Sequence, residues 1–313
     1  MHISVIVPCF NEEEVLGTSY QRLSGVLASL QPQHTYEILF INDGSQDKTA
    51  EILREIAGQD TRVKAIFFSR NFGHQNAVSA GIHLCQGDVA IIIDADLQDP
   101  PEVMLEMLHT YQQEKCNVVY GVRRERQGET YFKKLTARLF YRLLNSLSDV
   151  SFPVDTGDFR LIDQKVIAAY RQFPERNKYI RGLISWMGFQ QCPVYYNRDA
   201  RFAGSTKYSF NKMLKLALTG IFSFSNKPLK LAINVGLLSI LVGMLLTLWV
   251  FALYFFEREV LIPGWASTII TIVFMGGIQL FSVGILGEYI GNIFEETKGR
   301  PEYLIAEEIN LHP

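Results

Sequence analysis

The chain has 313 residues, 48% of them hydrophobic, with a formal net charge of −2. That length accommodates one to two domains, and the near-neutral balance gives no basis for nucleic-acid binding. Its four cysteines, Cys9, Cys85, Cys116 and Cys192, lack a CxxC pair or a histidine at ligand spacing, so reduced thiols facing the cytosol are expected rather than a zinc site or a disulfide framework.

The opening Met1-His2-Ile3-Ser4-Val5-Ile6-Val7-Pro8 lacks the basic start and length of a signal peptide, and the N-terminal domain is expected to stay unexported. Residues 3–7, 37–41, 63–68, 89–93 and 118–122 read as strands, most of them apolar on both faces. Residues 12–30, 48–56, 76–85 and 101–112 read as the helices between them. Four β-α repeats predict an open α/β sheet, mainly parallel, with helices on both faces. Ligands of such sheets bind beyond the carboxyl ends of the strands. Polar clusters fall there after each of the first four strands: Asn11-Glu12, Asn42-Asp43-Gly44-Ser45, Ser69-Arg70-Asn71 and Asp94-Ala95-Asp96.

Beyond Arg124 the pattern changes. Residues 130–147 carry Phe132, Leu135, Leu139, Leu143 and Leu147 on one stripe and Lys134, Arg138 and Arg142 on another. A basic amphipathic helix of this kind lies in a membrane interface or packs on a core with its cations solvated. Residues 209–224, with Lys212 and Lys215 among apolar neighbours, read as a second interfacial helix. The runs 231–256 and 260–287 hold no charged residue, and each exceeds the ~20 residues a helix needs to cross a bilayer. Helices apolar on every side need a large protein core otherwise, and little chain is left to supply one. The expected plan is a domain over residues 1–226 and a membrane domain over 227–313, with transmembrane helices near 231–256 and 262–287. Lys227 and Lys230 precede the first span, and Lys298 and Arg300 follow the second. The positive-inside bias then predicts a multi-pass protein of the cytoplasmic (inner) membrane with both termini and the N-terminal domain cytoplasmic. Gly276, Gly277, Gly284, Gly287 and Gly291 offer small surfaces for helix packing and suggest a homo-oligomer.

The chemistry-bearing residues gather in a few places. Asp94 and Asp96 end a buried apolar strand; they are candidate ligands for Mg²⁺ or Mn²⁺ bridging a nucleotide diphosphate, or else caps for the helix that follows. Asp43 opens a turn that, with Pro8, Asn11 and Glu12, is placed to contact a base and ribose. Asp158, in Asp155-Thr156-Gly157-Asp158-Phe159-Arg160, is read as lying beyond the sheet, on a segment that turns back over the crevice. Arg201 and Lys207 flank a Gly-Ser-Thr stretch before the membrane runs and suit a lipid phosphate. A domain with paired carboxylates tied to a bilayer suggests transfer of a group from a soluble nucleotide donor to a lipid.

Taken in order, Val5-Ile6-Val7-Pro8 with Asn11-Glu12, Asn42-Asp43-Gly44-Ser45, Arg70-Asn71-Phe72-Gly73, Asp94-Ala95-Asp96-Leu97-Gln98-Asp99-Pro100-Pro101, Gly157-Asp158-Phe159-Arg160 and Gly287-Glu288-Tyr289-Ile290-Gly291 resemble the polyprenyl-phosphate glycosyltransferases of family 2, which have the Rossmann-like GT-A fold and include bactoprenol glucosyltransferases and relatives of dolichyl-phosphate mannose synthase. The resemblance covers nearly the whole chain. It implies inverting, metal-dependent transfer of one sugar from a nucleotide sugar, UDP-glucose by default, to undecaprenyl phosphate. It assigns Pro8, Asn11, Glu12, Asp43, Asp94, Ala95 and Asp96 to the nucleotide sugar, and Asp94, Asp96 and Gln98 to the metal. Asp158 matches the catalytic carboxylate, while Arg123, Arg201 and Lys207 match contacts to the acceptor phosphate. His74-Gln75 stand where many relatives carry Lys-Glu, and no role is assigned to them. The Gln-x-x-Arg-Trp motif of processive synthases is absent, favouring single transfer. Two alternatives stay open: a membrane glycosyltransferase acting directly on a glycan or another lipid, and a non-catalytic adaptor that senses nucleotide sugars.

Overall fold

A computed structural model describes residues 1–124, 156–176, 178–199, 225, 227–256 and 264–311. The expected interfacial helices at 130–147 and 209–224, and the candidates Arg201 and Lys207, lie outside the described residues. The first half alternates strand and helix: β1 (His2–Cys9), α1 (Leu16–Ala28), β2 (Thr35–Asn42), α2 (Thr49–Gln59), β3 (Val63–Phe68), α3 (His74–Leu84), β4 (Val89–Ile92), α4 (Val103–Glu114) and β5 (Val118–Arg123). Then follow β6 (Thr156–Asp163), α5 (Gln164–Tyr170), α6 (Ile180–Trp186), β7 (Gln191–Tyr196), α7 (Lys227–Phe256), α8 (Trp265–Thr297) and β8 (Ile305–Ile309).

Among the described residues these strands form one sheet in the order β7-β5-β6-β4-β1-β2-β3-β8. The pairs β1–β2, β1–β4 and β2–β3 are parallel, as the β-α repeats predict, and β7, a strand the sequence pattern does not predict, also runs parallel to β5. β6 runs antiparallel between β4 and β5, and β8 runs antiparallel along β3. Asp158 therefore belongs to a strand inside the sheet, which corrects its expected place on a segment beyond it. The strand was missed because Thr156–Asp163 alternates charged and apolar side chains instead of forming an apolar run.

Helices cover both faces. Leu16, Leu23, Leu53, Met104 and Met107 pack on one side with Val5, Val7 and Phe40. Ala77, Val78, Val166, Ile167 and Leu183 pack on the other with Ile6, Ile41 and Ile92. Burying such side chains contributes roughly 1.5–3 kcal/mol each relative to exposure. The strands are not wholly apolar: Glu37 and Lys64 are buried as a pair 2.6 Å apart near the strand starts, away from the site.

Parallel pairing of β5 with β7 brings Cys116 beside Cys192, and the two form a disulfide across 76 residues of sequence. The expectation of four reduced thiols is corrected for this pair, which sequence spacing cannot reveal. Cys9 and Cys85 are free and buried.

α7 and α8 are apolar around their circumference yet largely unburied, with Leu237 60% and Leu280 75% exposed. Both are long and apolar enough to cross a membrane. α8 continues past the apolar run through Glu288, Glu295 and Glu296. It stops where Gly299 takes a left-handed φ of 65° ahead of Pro301. Residues 302–311 then return to the N-terminal domain, where β8 extends its sheet.

Candidate active site

The polar clusters converge at the carboxyl ends of the parallel strands, where the sheet offers backbone groups and no side-chain core. After β1 and β2 two loops are laced together. Asn11, held at φ 53°, donates its amide to Ser45 Oγ and accepts from the Gln46 amide, and the Glu12 amide donates to Thr49 Oγ1. Pro8, near the end of β1, is buried. Asp43 is 3% exposed, and its carboxylate accepts from the amides of Phe72 and Gly73 at 2.7 and 3.0 Å. Asp43 thus fixes the loop that leads into α3. Gly44 lies against the same loop at φ 64°, where an added Cβ would sit 2.3 Å from the Arg70 carbonyl carbon.

α3 begins at His74, directly over the ends of β4 and β6. Its Nε2 lies 3.1 Å from Asp158 Oδ2 and 3.7 Å from Asp94 Oδ1. Arg181, on α6, reaches the same carboxylate: Nε donates to Asp158 Oδ1 at 2.6 Å and the guanidinium to Oδ2 at 3.1 Å. Gln75 Nε2 is 3.4 Å from Asp158 Oδ2, and its carbonyl accepts from the Ile180 amide. Asp158 is thereby surrounded by donors. The 74–75 pair, left without a role on sequence grounds, is part of its shell; a histidine opening a helix just after a strand-end polar cluster was the available signal. Arg181 sits 23 residues beyond Asp158 in no motif, and nothing in the sequence marked it.

The electrostatics follow from this packing. Burial alone would raise Asp158, but Arg181 and the His74 hydrogen bond outweigh it and hold the carboxyl well below its ordinary range. Burial disfavours the charged form of His74, yet Asp158 and Asp94 overcome that and lift it to about 9. Asp94 is pushed up by burial to about 6, against the pull of His74 and with the charges of Asp158, Asp99 and Asp96 adding to the rise.

Asp94 Oδ1 is buried and makes no hydrogen bond, which is costly for a carboxylate unless a cation or donor completes it. Asp96 Oδ1 accepts from the Gln98 amide, and the Gln98 carbonyl accepts from the Asp199 amide. Ala95 between them is buried. Among the described residues no group of three or more His, Cys, Asp or Glu converges as a metal cage. Two carboxylates, one with an oxygen that makes no hydrogen bond and meets His74 only at 3.7 Å, fit a hard cation that would draw its further ligands from phosphate and water.

Arg123 ends β5 with its guanidinium 3.7 Å from Asp99 Oδ2 and its Nε 3.5 Å from Tyr196 Oη. Tyr196 donates to Asp99 at 2.6 Å. Gly157 leaves room for this guanidinium, since a Cβ there would lie 2.7 Å from Arg123 Nη2.

Comparison with known proteins agrees with this architecture. Residues 4–171 match the model of glycosyl transferase family 2, and residues 227–293 match the GtrB C-terminal hairpin. The uncharacterized glycosyltransferase YkcC of Bacillus subtilis (strain 168) is 49% identical over 308 residues, covering 98% of this chain and 94% of its own. The uncharacterized glycosyltransferase sll0501 of Synechocystis is 43% identical over 311 residues, covering 98% and 95%. A bactoprenol glucosyl transferase of Shigella phage SfX is 40% identical over 306 residues, covering 97% and 99%. With one family model spanning more than half of the chain and relatives matching nearly end to end, this chain belongs to glycosyl transferase family 2.

Proposed function

We propose that this glycosyltransferase moves one glucose from UDP-glucose to a polyprenyl phosphate, undecaprenyl phosphate in a bacterial membrane, with inversion at the anomeric carbon. The observation that carries the reading is the single imidazole of His74 set between Asp94 and Asp158. It joins Asp94, one of the carboxylates assigned to the donor, with the one assigned to the chemistry in a single constellation. The bactoprenol glucosyl transferase relative supports the sugar and the acceptor.

In the proposed reaction an acceptor phosphate oxygen bonds to the anomeric carbon as the bond to the nucleotide diphosphate breaks. A phosphate monoester has a second pKa of about 6, so the nucleophile is largely ionised at neutral pH. The chain then needs little base catalysis. Asp158, saturated by Arg181, His74 and Gln75, suits the holding of those groups in place rather than removal of a proton. Two anions must be brought together, and cations are the means. We assign Arg123, together with Arg201 and Lys207, to the acceptor phosphate. Asp94 and Asp96, with Gln98 beside them, would hold Mg²⁺ or Mn²⁺, which when bound offsets the charge developing on the diphosphate. Pro8, Asn11, Glu12 and Asp43 shape the rim assigned to base and ribose.

The return of residues 305–309 to the sheet supports a hairpin that enters and leaves the bilayer on the side of the N-terminal domain. The basic residues at both outer helix ends support the cytoplasmic side. The test is incubation of purified protein with labelled UDP-glucose, undecaprenyl phosphate and Mg²⁺. Organic-extractable, mild-acid-labile label supports the proposal. Label appearing only in a glycan, or none with any nucleotide sugar, refutes it.

A further inference from the structure

Glu302 follows α8 by five residues, and its carboxylate ends in the interior of the N-terminal domain. Oε1 lies 2.7 Å from Lys178 Nζ, whose side chain is 1% exposed, and Oε2 accepts from Ser79 Oγ at 3.0 Å. Lys178 Nζ is also 3.4 Å from His83 Nε2. Gln75, Ser79 and His83 are four residues apart on α3 and so share one stripe of that helix. The stripe faces the segment that carries Lys178 and, one turn later, Arg181. At its upper end Gln75 accepts from the Ile180 amide and approaches Asp158. At its lower end the carboxylate from beyond the membrane helices closes the same seam. The next residue, Tyr303, stacks on Phe68 at 4.9 Å, and Leu304 accepts from the Ser69 amide, beside the loop that Asp43 fixes.

We propose that Glu302 is a positioning residue of the transfer site: by clamping Lys178 to α3 it sets how His74, Gln75 and Arg181 meet Asp158. The inference rests on the transfer reading above and adds that the segment behind the membrane hairpin is a working part of the site. A buried ammonium that loses the carboxylate paired with it at 2.7 Å must shift or draw in water, and α3 and α6 then part at the seam. The geometry at Asp158 follows, while the rim formed by the loops after β1 and β2 is untouched.

The experiment compares full-length wild type, Glu302→Gln and Asn310→Ala in detergent micelles. Asn310 lies in the same tail and donates to the Ala57 and Val63 carbonyls, so its variant controls for a loosened tail. Hydrogen exchange should rise in Glu302→Gln across residues 74–84 and 178–186 but not across β1 and β2. Its kcat should fall about tenfold or more, because small misplacements cost up to ~10²-fold. The UDP-glucose Kd should stay within about threefold, the signature of an interaction needed for turnover rather than binding. Asn310→Ala should keep wild-type kcat. Unchanged exchange in Glu302→Gln overturns the clamp. Raised exchange with wild-type kcat, or an equal kcat loss in Asn310→Ala, overturns the positioning role. A wild type that transfers no sugar to lipid phosphate refutes the functional reading and the positioning role, while exchange still decides the clamp.

Discussion

Asp158 is the residue whose surroundings say most about its work. Its ion pair with Arg181 is buried, and breaking such a pair from one side costs about 3–5 kcal/mol. Asp158→Asn is therefore expected to lower stability by about 3 kcal/mol in thermal unfolding. Its kcat should fall by about 10²-fold or more while the UDP affinity in calorimetry is kept. The pH dependence has a definite sign. The folded pKa is depressed, so the stabilisation is present above the unfolded value of about 3.9 and is lost only as pH falls through the lower folded value. The gap in melting temperature between wild type and variant should be widest between pH 5 and about 6.5, narrow above that as the part held by His74, whose folded pKa is lifted to about 9, is lost, and close below pH 4. A gap that closes near neutrality contradicts the assignment. Asp96→Ala is expected to abolish the Mg²⁺-dependent part of donor binding, read by titration calorimetry with and without the ion. At this scale the sequence exposed the acids and concealed their partners. Asp94, Asp96 and Asp158 stand in local patterns. Arg181 and Gln75 matter through contacts made across the fold, and such contacts leave no local pattern.

Among elements, strand β6 has the largest consequence. Sequence periodicity found the five parallel strands because burial on both faces makes them apolar runs. β6 carries Asp158, Arg160 and Asp163, and a strand that brings charges to a site does not look apolar. β8 escaped notice for a related reason: an edge strand with Glu307 and Glu308 reads as a solvated tail. Loop packing gives a separate prediction. Gly44→Ala forces a side chain into a left-handed backbone position and against the Arg70 backbone. Strain of this kind costs of order 1–3 kcal/mol before the clash is counted. Lower stability and weaker UDP binding are expected together, since the displaced loop is the one Asp43 fixes. Retained UDP affinity in a folded Gly44→Ala protein would separate that loop from the donor site.

At the level of the whole molecule, the chain runs from an α/β sheet into two apolar helices and then returns to the sheet through β8. The membrane-length helices were legible from the sequence, because residues 231–256 and 260–287 are uncharged apolar runs longer than the ~20 residues a span needs. Their coupling to the sheet through Glu302 and β8 was not legible. The sidedness proposed here predicts that protease added to sealed spheroplasts leaves the N-terminal domain intact. The Cys116–Cys192 bond argues the other way, since reducing compartments keep thiols free, and digestion of that domain from outside would reverse the proposed topology. A Cβ added at any of the five glycines of α8 would meet nothing within 4 Å among the described residues, which leaves room there for the self-association suggested by sequence. The central claim is that nucleotide sugar and lipid phosphate meet where His74 joins Asp94 to Asp158. Its most direct test is turnover of labelled UDP-glucose with undecaprenyl phosphate by purified wild type, Asp96→Ala and Asp158→Asn. Wild type should yield a labelled lipid, and either variant almost none. Equal lipid labelling by all three would contradict that claim.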